Sequence, residues 1–439
     1  MNEAITVIGG GFAGVEAAWA AANRGCRVTL VEMKGVRFSP AHRSENLCEL
    51  VCSNSFKAAR LASAAGLMKE EMRRMGSLCI EAAEACAVPA GGALAVDRDA
   101  FSGLVTEKIQ SHPNITVVRQ EATEIPQTPC IVAAGPLASD AISESIRALC
   151  GDGLSFFDAA APIVIKDSLD PEHYFTASRY ERGGEDDYLN CPMNQEEYEA
   201  FYEALISAEA APQHTFDKRK DVYEGCMPIE VMASRGKDTI RYGPLKPVGL
   251  RDPKTGHRPW AVLQLRRETA DGRLLNLVGF QTNLKFGEQK RVFSMISALH
   301  DAEFVRYGVM HRNTFLDSPR LLAADYSLRA RRDLFFAGQI TGVEGYMESA
   351  QSGLLAGINL TRRLRGQAPL VLPETTIMGA LSRYISDESV RDFQPMGANF
   401  GVLPPIEPKI RDKKLRYEAL ALRSLRDLSD YLQKEGFYV

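Results

Sequence analysis

Residues 4–17 read AITVIGGGFAGVEA, a short apolar run that ends in three glycines and leads into an alanine-rich segment. The pattern G-x-G-x-x-G falls here between a predicted strand and a predicted helix. Its first glycine permits a tight turn, its second lets a pyrophosphate approach the backbone, and its third lets the helix pack on the strand. Unpaired N–H groups at the start of a helix also favour an anion. The predicted pyrophosphate loop consists of Gly9, Gly10, Gly11, Phe12, Ala13 and Gly14.

A second apolar strand is predicted at 27–32, which makes the first 32 residues a strand–helix–strand unit. Such a unit implies a parallel sheet with a right-handed crossover. Glu32 ends this strand, 18 residues after Gly14, where its carboxylate is placed to accept a hydrogen bond from a ribose hydroxyl. Further buried strands are predicted at 130–134 and 334–337. The sequence therefore predicts an α/β fold with a Rossmann-like dinucleotide-binding domain.

A second glycine-rich turn, AGQITGVEGY, occupies residues 337–346, far from the first in sequence. It follows a predicted strand and precedes a helix predicted from about Glu348 to Leu364. One long cofactor held at both ends explains two such turns in one domain, so FAD fits this pattern better than NAD. The alternative is a glycine-rich turn that binds no ligand.

The middle of the chain differs from its two ends. The 439 residues allow two or three domains at roughly 150 residues each. From about Tyr188 to Phe293 the hydrophobic periodicity is mixed, with strands predicted at 260–265 and 275–280, and an amphipathic helix is predicted at 413–432. We therefore expect the first part of the FAD-binding domain at 1–185, an inserted α+β domain on the RNA and folate side at 186–300, and the second part with the C-terminal helix at 301–439.

The charge of the chain is unevenly distributed. In total, 52 Lys and Arg stand against 56 Asp and Glu, a net charge of −4 that by itself argues against a nucleic-acid partner. Between Phe216 and Ser294, however, 16 basic residues face nine acidic ones, so this stretch carries +7 and the remainder −11. Such asymmetry indicates an anionic partner at the inserted domain. The alternative is an ordinary solvated face.

The nine cysteines are odd in number and widely spaced, which is typical of a reducing compartment rather than of a disulfide framework. No cysteine pair is completed by a second pair or a histidine cluster, so we expect no metal site. Two cysteines beside turn-forming residues are candidate nucleophiles. Cys226 lies between a glycine and a nearby proline, and Cys52 precedes residues 53–54, which could cap a helix and lower the pKa of the thiol. The alternative is that both are small buried hydrophobic residues.

Seven motifs are spread over the chain: VIGGGFAGVEA at 7–17, LVCSNS at 50–55, GCMPIE at 225–230, RYGPLKPVGL at 241–250, VGFQTNL at 278–284, YGVMHRNT at 307–314 and FAGQITGVEGY at 336–346. Together they resemble the folate- and FAD-dependent tRNA (uracil-C5)-methyltransferases, the TrmFO family, over essentially the whole chain. The turn after Phe336 is shared with the related GidA family of tRNA-modifying flavoproteins, whereas several other motifs are specific to TrmFO.

The resemblance implies formation of 5-methyluridine at position 54 in the T loop of tRNA. It implies 5,10-methylenetetrahydrofolate as the source of the carbon, and FAD reduced by NADH or NADPH as the source of electrons. By the same resemblance Cys226 is the thiolate that adds to uracil C6, and Cys52 is a second thiol near the flavin. His311 is placed near the substrate rings. The cofactor-binding residues are the pyrophosphate loop with Glu32, Gly135, Gly338, Gln339, Gly342 and Tyr346.

Two alternative functions stay open at this point. The first is a paralogue that methylates a uridine of ribosomal RNA, and the second is a non-catalytic flavoprotein that binds RNA. The start of the chain has neither a basic region nor a long apolar run. We therefore expect a protein that is neither secreted nor membrane-spanning. We therefore expect a cytoplasmic enzyme with tRNA and a small-molecule folate as partners, without a membrane or DNA partner.

Overall fold

A computed structural model gives the structure of the protein and describes residues 3–39, 41–151, 154–159, 161–181, 184, 187–211, 227–267, 272–308, 310–390, 393 and 395–437. For residues 154–159, 181 and 310–314 it describes the backbone alone. All statements below concern this part of the chain.

The strands and helices alternate in the first third of the chain and again near its end. The strands are β1 Ala4–Ile8, β2 Arg27–Glu32, β3 Ser55–Ala58, β4 Ala87–Val88, β5 Ala93–Val96, β6 Ile115–Arg119, β7 Cys130–Val132, β8 Leu154–Ala159, β9 Ile163–Ile165, β10 Phe175–Thr176, β11 Tyr188–Met193, β12 Ala261–Arg267, β13 Leu274–Leu277, β14 Phe304–Arg306, β15 Met310–Phe315, β16 Ser327–Leu328 and β17 Arg331–Phe336. The helices are α1 Phe12–Ala22, α2 Ala64–Arg73, α3 Leu78–Ala85, α4 Arg98–Ser111, α5 Asp140–Cys150, α6 Gln195–Ile206, α7 Ile229–Ala233, α8 Thr239–Tyr242, α9 Phe286–Phe293, α10 Ser318–Leu321, α11 Tyr346–Leu364, α12 Ile377–Tyr384 and α13 Lys413–Lys434.

The first sheet has six strands in the order β16-β17-β7-β1-β2-β6. All neighbouring pairs are parallel except β16 and β17. Strands β1 and β2 pair from Ala4 with Arg27 to Ile8 with Val31, as expected for a strand–helix–strand unit. Because β1, β7 and β17 are adjacent and parallel, the turns after them meet at one edge of the sheet. This arrangement brings residues near 9, 134 and 338 together.

Helices α1 and α11 pack so closely that two glycines of α11 leave no room for a side chain against the backbone of α1. A Cβ atom added at Gly353 would lie 1.9 Å from the carbonyl oxygen of Ala13, and one at Gly357 would lie 2.5 Å from that of Ala17. Glycine is therefore required at both positions, since any side chain would separate the two helices. The contact places the N-termini of α1 and α11 beside the same edge of the sheet.

The middle of the chain forms a second sheet with its own core. Its six strands are antiparallel in the order β10-β11-β12-β13-β9-β14. Helices α6, α7 and α9 supply buried side chains to a hydrophobic cluster whose members run from Val164 to Ala302. The larger cluster combines residues from Ile5 to Ile146 with residues from Phe315 to Leu432. The boundaries 186 and 300 remain a proposal, and three strands of this sheet, β9, β10 and β14, lie outside them.

The architecture confirms the predicted fold class. A parallel, Rossmann-like sheet is assembled from both ends of the chain, and an α+β part lies between them in sequence. The predicted helix at the C-terminus is α13. Within the described ranges, no helix combines the length and the apolar character that crossing a membrane requires.

Candidate active site

A cavity of about 500 Å³ lies at the carboxyl ends of β1, β7 and β17. Ligands of open α/β sheets bind at this edge. The structure brings most of the predicted site residues together on its wall, namely Gly9, Gly10, Gly11, Phe12, Ala13, Glu32, Cys52, Gly135, Gly338, Gln339 and Tyr346. Gly14 and Gly342 are not on the wall. Gly14 packs directly beneath Gly9, and Gly342 lies against the ring of Phe393.

The first glycine turn has the geometry that a pyrophosphate requires. Gly9 has φ 101°, and a Cβ atom on Gly14 would lie 1.7 Å from the Gly9 carbonyl oxygen. The missing side chain of Gly11 leaves open space, with nothing within 4 Å of a Cβ placed there. Helix α1 begins directly after Gly11 and has no side-chain cap. Its first N–H groups therefore face a cradle that any Cβ at Gly11 would partly fill, and this fits an anionic phosphate group.

Glu32 lies at the end of β2 and is 6% exposed. One carboxylate oxygen accepts a hydrogen bond from Gly10 N at 2.6 Å, and the other accepts one from Lys34 N at 2.8 Å. The carboxylate thus braces the glycine loop. Each oxygen keeps a further lone pair, so a ribose hydroxyl can still donate to it.

The second glycine turn forms the opposite wall. Gly338 has φ 88° and its N–H donates to Ser352 Oγ at 2.7 Å, which ties the turn to α11. Gln339 Nε2 donates to Glu344 Oε2 at 2.9 Å. Gly345, with φ 129°, immediately precedes α11. One cavity thus holds two helix N-termini and two glycine turns, as a long cofactor bound at both ends requires.

Tyr346 and Cys52 are in direct contact on the cavity wall. Their Oη and Sγ atoms are 3.0 Å apart, and Tyr346 Oη also accepts hydrogen bonds from the backbone N–H groups of Val51, at 3.0 Å, and Cys52, at 2.9 Å. The tyrosine ring packs at 4.7 Å from the ring of Phe12. Burial, together with the neighbouring Cys52, raises the pKa of Tyr346 well above its ordinary value, so its hydroxyl stays protonated.

Three arginines surround the loop that carries Cys52. Arg98 donates to the carbonyl oxygens of Leu50 and Cys52, the latter at 3.1 Å, and Arg306 donates to that of Val51. Arg266 donates to Ser53 Oγ at 2.9 Å and to Asn54 Oδ1 at 3.1 Å. Burial lowers the pKa of all three, that of Arg98 to about 10, yet each remains a cation at neutral pH.

Lys57 is a further polar residue on the cavity wall. Its backbone has φ 64°, a value that residues other than glycine rarely adopt. Its ammonium donates to Glu348 Oε1 at 2.6 Å and to the carbonyl oxygen of Glu344 at 3.2 Å. Such strain persists where the surroundings fix the residue, and it is common at functional sites.

Two of the predicted residues lie outside what the structure describes. Cys226 belongs to the range 212–226, and of His311 only the backbone is described, within β15 and opposite Asp158. The segment directly after Cys226 is well anchored. Ile229 N donates to the carbonyl oxygen of Gln281, which itself lines the cavity, at 2.8 Å. The start of α7 is therefore fixed next to the cavity.

Glu230 strengthens this anchor. Its carboxylate accepts hydrogen bonds from Asn283 N at 2.7 Å and from Thr282 Oγ1 at 2.8 Å, and burial raises its pKa.

Our reading of the sequence missed the three arginines, Lys57 and Gln281. One signal was available for Arg98, which is the first residue of α4. A cation at a helix N-terminus opposes the helix dipole, and such a local violation is typical of a functional position. Arg266 and Arg306 carry no comparable signal.

Comparisons with known proteins agree with this site. A family model described as glucose inhibited division protein A, GidA, matches residues 4–368. A relative from Enterococcus faecalis, named methylenetetrahydrofolate--tRNA-(uracil-5-)-methyltransferase TrmFO, is 56% identical over 97% of this chain and 98% of its own length. The protein of the same name from Halalkalibacterium halodurans is 54% identical over 98% of this chain and 99% of its own.

Among solved structures, GidA from Aquifex aeolicus has a TM-score of 0.70 at 17% identity, covering 99% of this chain and 79% of its own. At that identity the likeness concerns the fold alone. The resemblance inferred from the motifs is confirmed by the relatives. The chain therefore belongs to the TrmFO family, within the wider group that the GidA model describes.

Proposed function

We propose that this protein is a methylenetetrahydrofolate- and FAD-dependent tRNA methyltransferase. It forms 5-methyluridine at position 54 of the T loop, uses NADH or NADPH as reductant, and works in the cytoplasm. The observation that carries the proposal is that relatives 54–56% identical over nearly the whole chain bear the name of this activity. The cavity with its two glycine turns is consistent with it.

The residues of the cavity fit FAD. The pyrophosphate would lie at the N-terminus of α1 over Gly11, a ribose hydroxyl at Glu32, and the flavin end of the cofactor against the second glycine turn and Tyr346. Bound and reduced FAD would supply the electrons that convert the folate's methylene into a methyl group. The chain itself binds and orients the reactants, and the rings of Phe12 and Tyr346 offer flat surfaces to planar partners.

Cys226 is the proposed nucleophile toward uracil. Uracil C5 is a weak nucleophile until a thiolate adds to C6 and turns the ring into an enolate. The anchoring of Ile229 and Glu230 beside Gln281 supports this role, because it keeps the segment after Cys226 near the cavity. We expect Cys226→Ala to abolish methyl transfer and to retain bound FAD. Cys150→Ala is the matched control, since burial raises the pKa of Cys150 to about 11. Full activity of Cys226→Ala would assign the role to another residue.

The tRNA is proposed to dock on residues 227–267, which the structure describes throughout. This range holds nine Lys and Arg against three Asp and Glu, and six of the nine cations are exposed against one of the three acids. Tyr242 is 69% exposed and could stack on a base, and the guanidinium of Arg241 lies 3.8 Å from the centre of the Trp260 ring. Phe280, by contrast, is fully buried and belongs to the core of the second sheet, so it is not available for stacking.

If tRNA docks on this surface, its affinity should depend strongly on salt, because Lys and Arg side chains that bind phosphates displace counterions from them. Replacing Lys246, Arg251 and Arg258 together with glutamine should weaken binding and flatten the plot of log affinity against log salt by about 0.7 to 0.9 per lost phosphate contact. Lys414→Gln on α13 is the control. An unchanged slope in the triple variant would move the docking surface elsewhere.

The decisive experiment is nucleoside analysis of unmodified tRNA after incubation with the enzyme, methylenetetrahydrofolate and NADH. The proposal expects 5-methyluridine at position 54 and none when the folate is left out. If ribosomal RNA is methylated instead, the protein is a paralogue with another target. If RNA is bound but neither substrate is methylated, it is a non-catalytic flavoprotein.

A further inference from the structure

The hydrogen bonds around Tyr346 Oη fix the direction of its proton. A phenol oxygen donates one hydrogen bond and accepts two. The N–H groups of Val51 and Cys52 can only donate, and both do so to Tyr346 Oη. The remaining contact is Cys52 Sγ, 3.0 Å away, so the phenol proton is donated to sulfur. A thiol sulfur is a weak acceptor and a thiolate a strong one, so this arrangement favours the ionised form of Cys52.

The charges that face Cys52 come from several elements. Arg98 comes from the start of α4, and Arg306 from the end of β14 in the second sheet. Burial lowers the pKa of both arginines, and the charge of Cys52 opposes that shift, which means that each arginine attracts a thiolate at this position. Arg266, from β12, adds positive charge on the far side of the loop, through Ser53 and Asn54.

Among the residues that the structure describes, the opposing charges near Cys52 are fewer and are engaged elsewhere. Glu49 accepts hydrogen bonds from Arg43 N at 2.8 Å and Ser44 N at 3.2 Å, and it pairs with Lys34 at 3.4 Å. Burial keeps Tyr346 neutral, so it contributes a hydrogen bond and no negative charge. The balance of charge near Cys52 is therefore positive.

We propose that Arg98 and Arg306 are positioning residues that hold the loop 50–52 against Tyr346 and keep Cys52 ionised near neutral pH. The importance of Cys52 in this inference rests on the proposed function, whereas the contacts around Cys52 do not depend on that function. Arg306 belongs to the second sheet and Cys52 to the cavity of the first. The second sheet thus sets the chemical state of a thiol in the cofactor cavity, in addition to the proposed contact of residues 227–267 with RNA.

The test is the pH dependence of Cys52 alkylation by iodoacetamide in the FAD-loaded protein, followed by mass spectrometry of the peptide 44–57. An opposite charge within about 4–6 Å lowers the pKa of an acidic group by about one to three units. We expect Cys52 in the unmodified protein to react with an apparent pKa at least one unit below an ordinary thiol. Arg306→Gln should raise this pKa by about one unit, which slows alkylation roughly tenfold at a pH below both pKa values, such as about pH 6.

Three further measurements separate a positioning role from a loss of structure. Arg306→Lys should restore most of the lowered pKa, because it keeps the charge. Arg291→Gln, an exposed arginine of α9 that pairs with Glu288, should leave the profile unchanged. Flavin absorbance shows whether each variant retains its cofactor. If Arg306→Gln does not fold, the profile of the unmodified protein decides alone.

An ordinary thiol pKa for Cys52 in the unmodified protein, or an unchanged profile in folded Arg306→Gln, overturns the proposal. Failure of the proposed function looks different, because alkylation needs neither tRNA nor folate. A protein that keeps the lowered pKa of Cys52 and yet forms no 5-methyluridine would refute the function and leave this inference standing.

Discussion

Replacing Tyr346 by phenylalanine removes one oxygen atom and keeps the ring. The ring contacts with Phe12, at 4.7 Å, and Phe56, at 5.9 Å, are retained, so the cavity keeps its shape. The two backbone N–H groups of Val51 and Cys52 lose their acceptor. At about 1 kcal/mol for each hydrogen bond, the loop 50–52 is destabilised by about 2 kcal/mol relative to its open form.

That free energy corresponds to a roughly 30-fold increase in the open population, since 1.4 kcal/mol is a factor of ten. The assay is amide hydrogen exchange of peptides covering Val51 and Cys52, in which exchange through local opening should accelerate by the same factor. Tyr431→Phe is a suitable control. Tyr431 lies on α13, and its hydroxyl also accepts one backbone hydrogen bond, from Val371 N at 3.2 Å. Unchanged exchange at Val51 and Cys52 in Tyr346→Phe would refute the view that this oxygen holds the loop.

Two further predictions concern the cofactor loop and the pH dependence of stability. Gly11→Ala should fold with little change in unfolding temperature but bind FAD more weakly, because the added methyl group meets only the open cradle. Gly14→Ala should lose stability through its collision with the Gly9 carbonyl. Gly103→Ala, also in open space, is the control for FAD content. Burial raises the pKa of Glu71 to about 7 from 4.5, so the native state holds a proton that the unfolded state has released, and stability is lost as pH rises from about 4.5 to about 7. This group alone accounts for about 3 kcal/mol. Urea unfolding of Glu71→Gln should show about that much less decline in stability between about pH 4.5 and 7.5. An equal decline in both proteins would assign the pH dependence to other groups.

The sequence predicted the parts of the site whose requirements are local. Within six residues, Gly9 is required by a tight turn, Gly11 by the approach of a pyrophosphate and Gly14 by the packing of the helix on the strand. Glu32 follows at the end of the next strand. The second glycine turn could be predicted in the same way, because it too lies between a strand and a helix. Each of these patterns predicts its own local backbone geometry, and the structure places the residues around one cavity.

The arginines around Cys52 were not predictable in this way. Arg98, Arg266 and Arg306 are separated by 168 and 40 positions, and they converge on residues 50–54 only after two sheets have formed and packed. The strain at Lys57 likewise depends on its surroundings rather than on its neighbours in sequence. The second sheet extends beyond the predicted range 186–300 to β9, β10 and β14. These strands have only two or three residues each, and such short runs are ambiguous in a sequence.

The contact of α1 with α11 also has a consequence for biosynthesis. Ala13 and Ala17 leave the ribosome early, whereas Gly353 and Gly357, which cover them, follow some 340 residues later. At about 5 to 20 residues per second, this delay lasts roughly 20 to 70 s. During that time the strand that will complete the sheet beside β7 is also missing, since β17 has not been made. The nascent chain thus presents an apolar, half-built sheet for most of its synthesis, and this makes it a natural client for chaperones that bind emerging polypeptides.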